Sequence, residues 1–164
     1  MTTSRRSRVT AGLAVVAVVA AGCTAQPSAS DRQATVASRG AQVMPFDLDA
    51  TTHTFTKTDD GGIQQVTADD PGDDEQVNLI RDHLRAEREN FARGDFDDPA
   101  AIHGMDMPGV SELQAGYRDI TVTYRERPGG ADLIYATTTA PLVDAIHEWF
   151  DRQVMDHGSH ATAG

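Results

Sequence analysis

Hydrophobic and polar positions alternate along one part of the chain and then recur with a helical period. Residues 52–57, Thr-His-Thr-Phe-Thr-Lys, alternate, and residues 63–67 form a second short run after the sequence Asp-Asp-Gly-Gly. Two such runs around a turn predict a β-hairpin. The acid-rich segment 69–75 suits the start of a helix. Apolar residues then share one helical stripe and predict a helix over about residues 73–92; they are Val77, Ile80, Leu84 and Phe91.

The second half of the chain repeats this order. Residues 120–124 alternate, Pro-Gly-Gly at 128–130 predicts a turn, and residues 133–137 return as a strand. Pro141 suits the first turn of a helix that keeps a broad apolar face to about Met155. We therefore predict an α+β fold, in which an antiparallel sheet made from two β-hairpins carries two main helices on one face.

The shared hairpin-then-helix order raises the interpretation of a ββα-ββα duplication. Each predicted helix follows a proline and carries one histidine, but Pro71 and His83 are 12 residues apart whereas Pro141 and His147 are 6 apart. The sequence therefore does not predict a strict repeat. Residues 97–109 contain two prolines and two glycines and predict a connector between the halves.

The first residues have the pattern of an export signal. Residues 1–8 carry three arginines and no acid, and the 13 residues 9–21 are small and apolar. A helix that crosses a membrane takes about 20 residues, so this run is too short. It ends in Ala-Ala-Gly-Cys, which resembles a bacterial lipobox with Ala where Leu or Val is usual. We predict a lipoprotein signal peptide over residues 1–22 and lipidation of Cys23, with Sec and twin-arginine export both open.

Composition divides the rest of the chain. Residues 23–41 are rich in Ala, Ser, Thr and Gln and predict a flexible tether that follows the lipidated cysteine. A single α+β domain is expected over residues 42–157, followed by a flexible tail over residues 158–164. Removal of the signal peptide leaves 142 residues, which is enough for one modest core.

The charge of the chain limits its partners. The net charge is −11 and becomes −14 once the three arginines of the signal peptide are removed. Such a surface repels nucleic acid and anionic lipid headgroups. The predicted partners are therefore the membrane, through the N-terminal lipid alone, and a metal cation. Exported proteins also carry net charge for solubility, so the charge alone does not decide for a metal ion. A protein partner is left open.

Six histidines are the main candidates for chemistry. The sequence Asp-His-Gly-Ser-His at 156–160 places His157 and His160 after an acid near a helix end, which suits metal binding or capping of the helix dipole. His83 and His147 each lie four residues before a carboxylate on a predicted helix, so each pair can meet on one face. A carboxylate can orient an imidazole for metal binding or base chemistry. A purely structural role is the alternative for His83 and for His147.

A second candidate group lies in the predicted connector. Residues 102–109, Ile-His-Gly-Met-Asp-Met-Pro-Gly, place His103 close to Met105 and Met107. Imidazole and thioether are ligands that select Cu(I) over Ca²⁺ or Mg²⁺, although methionine also fills gaps in small cores. The expected metal is copper ahead of zinc. Its candidate ligands are His83, His103, Met107, His147, His157 and His160.

Motifs of common enzymes are absent from the sequence. It contains no Gly-x-Ser-x-Gly, no glycine-rich phosphate loop, no Cys-x-x-Cys and no His-Glu-x-x-His. A hydrolytic site assembled from distant residues stays open as an alternative. The sequence therefore favours a binding protein over an enzyme, and we predict no catalytic residue.

Five short segments between residue 41 and the end of the chain have a recognisable pattern, namely 43–48, 70–76, 91–96, 102–109 and 156–160. Through these segments the chain resembles a family of small exported bacterial proteins without a settled activity, some of which carry the name aspartate carbamoyltransferase. The Ser-Thr-Arg-Thr loop and the His-Pro-x-Gln segment shared by true carbamoyltransferases are both absent. The resemblance therefore supports the predicted fold and an exported location, and we reject the carbamoyltransferase activity.

Taken together, the sequence predicts an extracytoplasmic lipoprotein, tethered to the cell-envelope membrane, that serves as an accessory binding protein for a transition metal. A second interpretation is a module that binds a protein or small ligand through its acidic surface, with structural histidines. An enzyme without a familiar motif is the third.

Overall fold

The computed structural model describes residues 28–104 and 106–164. The strands are β1 (Thr51–Thr58), β2 (Gly61–Ala68), β3 (Thr121–Arg127), β4 (Gly130–Ala136) and β5 (Ala161–Ala163). The helices are α1 (Ala29–Val43), α2 (Asp74–Phe91), α3 (Asp97–His103), α4 (Val110–Gly116) and α5 (Ala140–His157). Short 3-10 turns lie at Leu48–Ala50, Tyr117–Asp119 and Gly158–His160.

The strands form one five-stranded sheet in the order β3-β4-β2-β1-β5. β1 pairs antiparallel with β2, and β3 pairs antiparallel with β4, which confirms both hairpins. β2 and β4 pair antiparallel and join the hairpins into one sheet. The α+β class and the antiparallel sheet of two hairpins are confirmed, and a fifth strand that was not predicted, β5, adds parallel to β1.

The two main helices pack on the same face of the sheet. The ring centroid of Tyr135 on β4 lies 6.1 Å from that of Phe91 on α2 and 5.5 Å from that of Trp149 on α5. Trp149 also packs against Phe96, with ring centroids 5.9 Å apart, and is 1 % exposed. Aromatic side chains remove the largest apolar areas from water, so this group forms the centre of the core.

The predicted tether over residues 23–41 is wrong from Ala29 onward, because α1 is a helix that packs on the domain. Ser28 begins it with a capping box: its hydroxyl accepts from the Asp31 N–H, and the Asp31 carboxylate accepts from the Ser28 N–H. Val36 is buried in the helix–domain contact. The few apolar residues of this segment gave no visible period, yet its Ala, Gln and Arg residues favour a helix. The predicted signal peptide, residues 1–22, and Cys23 lie outside the described residues.

The predicted flexible tail, residues 158–164, is also wrong. Ala161 pairs with His53 on β1, and the Gly164 N–H donates to the Phe55 carbonyl over 3.0 Å. β1 would otherwise expose an unpaired edge of backbone groups, which pairing with β5 satisfies. The tail thus fixes the position of the preceding turn, Gly158–His160, beside the sheet.

Candidate histidine site

Four of the six histidines come together between the sheet and the helices. His53 lies on β1, His103 ends α3 and His157 ends α5. The rings of His53 and His157 are stacked, with centroids 5.2 Å apart, and the ring of His103 meets that of His157 edge-on at 5.0 Å. We call these three residues the histidine cluster. His83 on α2 lies nearby, and its ring and that of His53 both pack against Phe46.

A buried carboxylate orients one member of the cluster. Asp156 is 1 % exposed, and its Oδ2 lies 2.8 Å from His103 Nδ1. Arg32 on α1 donates to both oxygens of the same carboxylate, over 2.6 and 2.7 Å. Arg152 Nε lies 3.1 Å from Asp156 Oδ1. Burial alone would raise the pKa of Asp156, but hydrogen bonds from Arg32 and His103 outweigh it and hold this pKa below its usual value.

An ionised Asp156 fixes the protonation of His103. A carboxylate can only accept, so Nδ1 of His103 carries the proton and Nε2 keeps a free lone pair. Burial lowers the pKa of His103 below its usual value, against the opposing effect of Asp156. A carboxylate that sets the tautomer of an imidazole in this way is the usual outer partner of a metal-binding histidine.

The other two members of the cluster are neutral for a related reason. Burial, followed by the neighbouring His83, lowers the pKa of His53 to about 4, and its Nδ1 is buried without a hydrogen-bond partner among the described residues. Burial and the neighbouring His53 lower the pKa of His157 to about 2. His157 Nε2 lies 3.1 Å from the Gln153 side-chain oxygen, so it donates there and Nδ1 is left as an acceptor.

The cluster borders a small cavity, which we call the inner cavity. Its volume is about 30 Å³, enough for one or two water molecules or a single ion, since one water needs at least roughly 10–15 Å³. Its lining includes the histidine cluster together with Met44, His83 and Trp149. One methionine and four histidines therefore line one small space.

A carboxyl pair lies at another part of the inner cavity. Glu87 on α2 and Asp98 on α3 both line it. Burial, with a further contribution from Asp98, raises the pKa of Glu87 to about 8, although Asn90 donates to Glu87 Oε1 over 2.8 Å. Glu87 is therefore protonated at neutral pH.

A larger pocket opens to the surface on the other side of His157, and we call it the outer pocket. Its volume is about 230 Å³, and α1 contributes Ala34 and Ala37 to its wall. Asp49 and His160 also line it, with His160 Nε2 3.6 Å from Asp49 Oδ1. His157 is the one histidine of the cluster that lines both spaces.

The six ligands expected from the sequence do not all meet. The structure brings together His83, His103 and His157, and it places His160 at the outer pocket. Met107 is 4 % exposed within the hydrophobic core, so it packs and does not face the cavity. His147 lies apart, with Nε2 3.0 and 2.9 Å from the backbone oxygens of Thr58 and Gly61, because its helix position faces the end of the first hairpin.

Sequence reasoning missed three residues of the site. His53 lies on the buried face of β1, two residues from Phe55, and this alternation is the sequence signal that could have identified it. Met44 ends α1, a helix that the sequence did not predict. Arg32 reaches an acid 124 residues away, which no local pattern indicates. Met105 lies outside the described residues.

The side chains as they stand do not form a finished coordination sphere. Within residues 28–104 and 106–164 no three His, Cys, Asp or Glu side chains are placed to hold one metal ion. The planes of His53 and His157 differ by only 8°. An ion bound to an imidazole lies near the plane of the ring, so two stacked rings cannot share it until one of them turns.

Comparison of the chain with models of protein families, with curated proteins and with solved structures finds no match. In the part of the chain that the structure describes, no helix has both the length and the apolar character needed to span a membrane.

Proposed function

We propose that this protein is an extracytoplasmic, lipid-anchored accessory protein that binds one transition-metal ion at the histidine cluster, with copper ahead of zinc. The observation that carries the proposal is the meeting of three imidazoles, two buried and one half-buried, at one small cavity, with His103 oriented by the Asp156 carboxylate. Export and lipidation rest on the sequence of residues 1–23. The acidic charge of the chain favours a cation over an anionic ligand.

The spacing of the rings supports a shared ion. Nitrogen ligands bind zinc at 2.0–2.1 Å, so two imidazoles on one tetrahedral ion have centroids roughly 5–6 Å apart. The separations in the cluster are 5.0 and 5.2 Å. The ring of His157 must turn to share an ion with His53, which costs its hydrogen bond to Gln153 and is compensated by a metal–nitrogen bond. Rotation about the bond to an imidazole ring has a broad, shallow energy profile.

The remaining lining favours copper. Imidazole binds both copper and zinc, whereas a thioether is a soft ligand that selects Cu(I). Met44 lines the inner cavity beside the cluster. It is therefore the candidate thioether ligand, in place of Met107. His83 lines the same cavity and is the alternative fourth ligand.

The proposal is tested by thermal unfolding of the full chain with Cys23→Ser, which removes its only thiol. Cu(I), Cu(II) and Zn(II) are titrated in turn, and a hundredfold excess over Kd is expected to raise Tm by roughly 5–10 °C. His157→Phe keeps the stacked ring and removes the ligand, so the rise should vanish. His147→Gln is the control outside the cluster and should keep it. An unchanged Tm with every metal would overturn the proposal.

A module that docks a basic partner is the second candidate function. Five acids are exposed at one end of the domain, around the start of α2, namely Asp69, Asp70, Asp73, Asp74 and Glu75. Such a surface would bind a polylysine peptide with an affinity that falls as salt is added. Binding that persists after neutralisation of these acids would contradict this function.

A further inference from the structure

We infer that the outer pocket is the uptake route of the metal ion, with His160 and Asp49 capturing the ion and His157 passing it to the inner cavity. This inference rests on the proposed function. It concerns the rate of binding, whereas the histidine cluster sets its affinity, so the two can be separated by experiment.

The first argument is the position of His157. Its ring lines the outer pocket and the inner cavity, and it is only half-buried. His53 and His103 are 2 % and 5 % exposed and line the inner cavity but not the outer pocket. An ion that arrives in the outer pocket therefore meets His157 before the other two members of the cluster. The ring rotation that completes the site is a movement of the same residue.

The second argument is the ligand pair at the mouth of the outer pocket. The His160 side chain is 40 % exposed and that of Asp49 is 89 % exposed, with their nearest ligand atoms 3.6 Å apart. An imidazole and a carboxylate can hold a hydrated transition-metal ion weakly through two bonds. Exposed ligands release such an ion readily, which suits a transfer step and not a storage site.

The third argument is the way the pocket is kept open. The turn Gly158–His160 is held on one side by the pairing of β5 with β1. On the other side α1 presents Ala34 and Ala37, whose small side chains leave the space unfilled. Arg32 fixes α1 to Asp156, so the wall of the pocket and the orientation of His103 depend on the same ion pair.

Trp149 provides the readout, because it is the only tryptophan of the chain and lines the inner cavity. Stopped-flow mixing of the Cys23→Ser chain with Cu(II) should quench its fluorescence as the ion arrives. The double variant Asp49→Asn/His160→Gln is expected to slow the association rate about tenfold, with a much smaller change in Kd, since local charge mainly changes encounter rates. Glu75→Gln is a matched control that removes an exposed charge elsewhere and should leave the rate unchanged.

A second variant tests the route without touching any ligand. Ala34→Leu fills the outer pocket from α1 and is expected to slow quenching by a similar factor. Quenching at the wild-type rate in both variants would overturn the uptake route and leave the proposed function standing. Absence of quenching in the parent chain, together with an unchanged Tm with Cu(I), Cu(II) and Zn(II), would instead overturn the proposed function on which this inference rests.

Discussion

Glu87→Gln is expected to stabilise the protein at neutral pH, and the size of the effect follows from burial. Glu87 is 5 % exposed, and burial, with a contribution from Asp98, raises its pKa to about 8 from 4.5. Because this pKa is raised, Glu87 contributes fully to stability below about pH 4.5. The contribution is lost as pH rises towards 8, because the unfolded chain gives up the proton at a lower pH than the folded chain does. Between pH 4.5 and pH 7 the loss amounts to roughly 3 kcal/mol.

Glutamine removes this loss and keeps the contacts. Its amide oxygen can accept from Asn90, as Glu87 Oε1 does over 2.8 Å, and its amide nitrogen can donate towards Asp98 as the protonated carboxyl does. The free energy of unfolding should therefore be similar in the two proteins at pH 4.5. At pH 7 the variant should be more stable by roughly 3 kcal/mol.

The assay is urea unfolding of both proteins at half-unit pH steps from 4.5 to 8. The difference in the free energy of unfolding should widen steadily with pH. A difference that stays constant over this range would refute the assignment of a protonated Glu87, even if the variant were more stable throughout.

Three further predictions concern the network around the cluster. Asp156→Asn leaves Arg32 and His103 without an anionic partner and should cost roughly 3–5 kcal/mol in chemical unfolding, as breaking a buried ion pair does; a loss below about 1 kcal/mol would contradict the buried network. Because the pKa of His53 is lowered to about 4, its contribution is present above about pH 6.5 and lost as pH falls towards 4. His53→Phe should therefore flatten the acid-induced loss of unfolding free energy by roughly 3 kcal/mol, and an unchanged pH profile would argue against a neutral buried imidazole. Arg32→Met should speed amide hydrogen exchange in α1 more than in α5, since Arg32 holds α1 to the domain; equal acceleration in both helices would show that α1 is not held by this contact.

The elements that follow from local patterns were predicted well. The alternating runs gave both hairpins, and the apolar stripe through Val77 and Phe91 gave α2 to within one residue at each end. These features depend on near neighbours in the chain, where period and turn residues carry the information. The sharing of one sheet by both hairpins depends on the pairing of β2 with β4, for which the sequence holds no local pattern.

The errors lie at the two ends of the domain. α1 has few apolar residues, so composition indicated a tether, whereas capping at Ser28 and a contact through Val36 make a docked helix. β5 is three residues long and owes its structure to the edge of β1. In both cases the tertiary contact, and not the intrinsic preference of the segment, decides the outcome.

The candidate site also has features that could be predicted from the sequence and features that depend on long-range contacts. Its residue types could be named from sequence, and His83, His103 and His157 were among them. The choice between ligating and packing residues depended on long-range contacts: Met107 turns into the core, while Met44 reaches the cavity from the end of α1. The orientation of His103 by Asp156 joins two elements that are 53 residues apart in the chain.

The central claim is that one metal ion binds at the histidine cluster. Its most direct test is the metal content of the Cys23→Ser chain, saturated with Cu(I) under anaerobic conditions, separated from free metal by gel filtration and analysed by mass spectrometry. We predict one copper ion per chain, retained in His147→Gln and lost in the double variant His53→Phe/His157→Phe. An equal copper content in the double variant, or none in the parent chain, would contradict the claim.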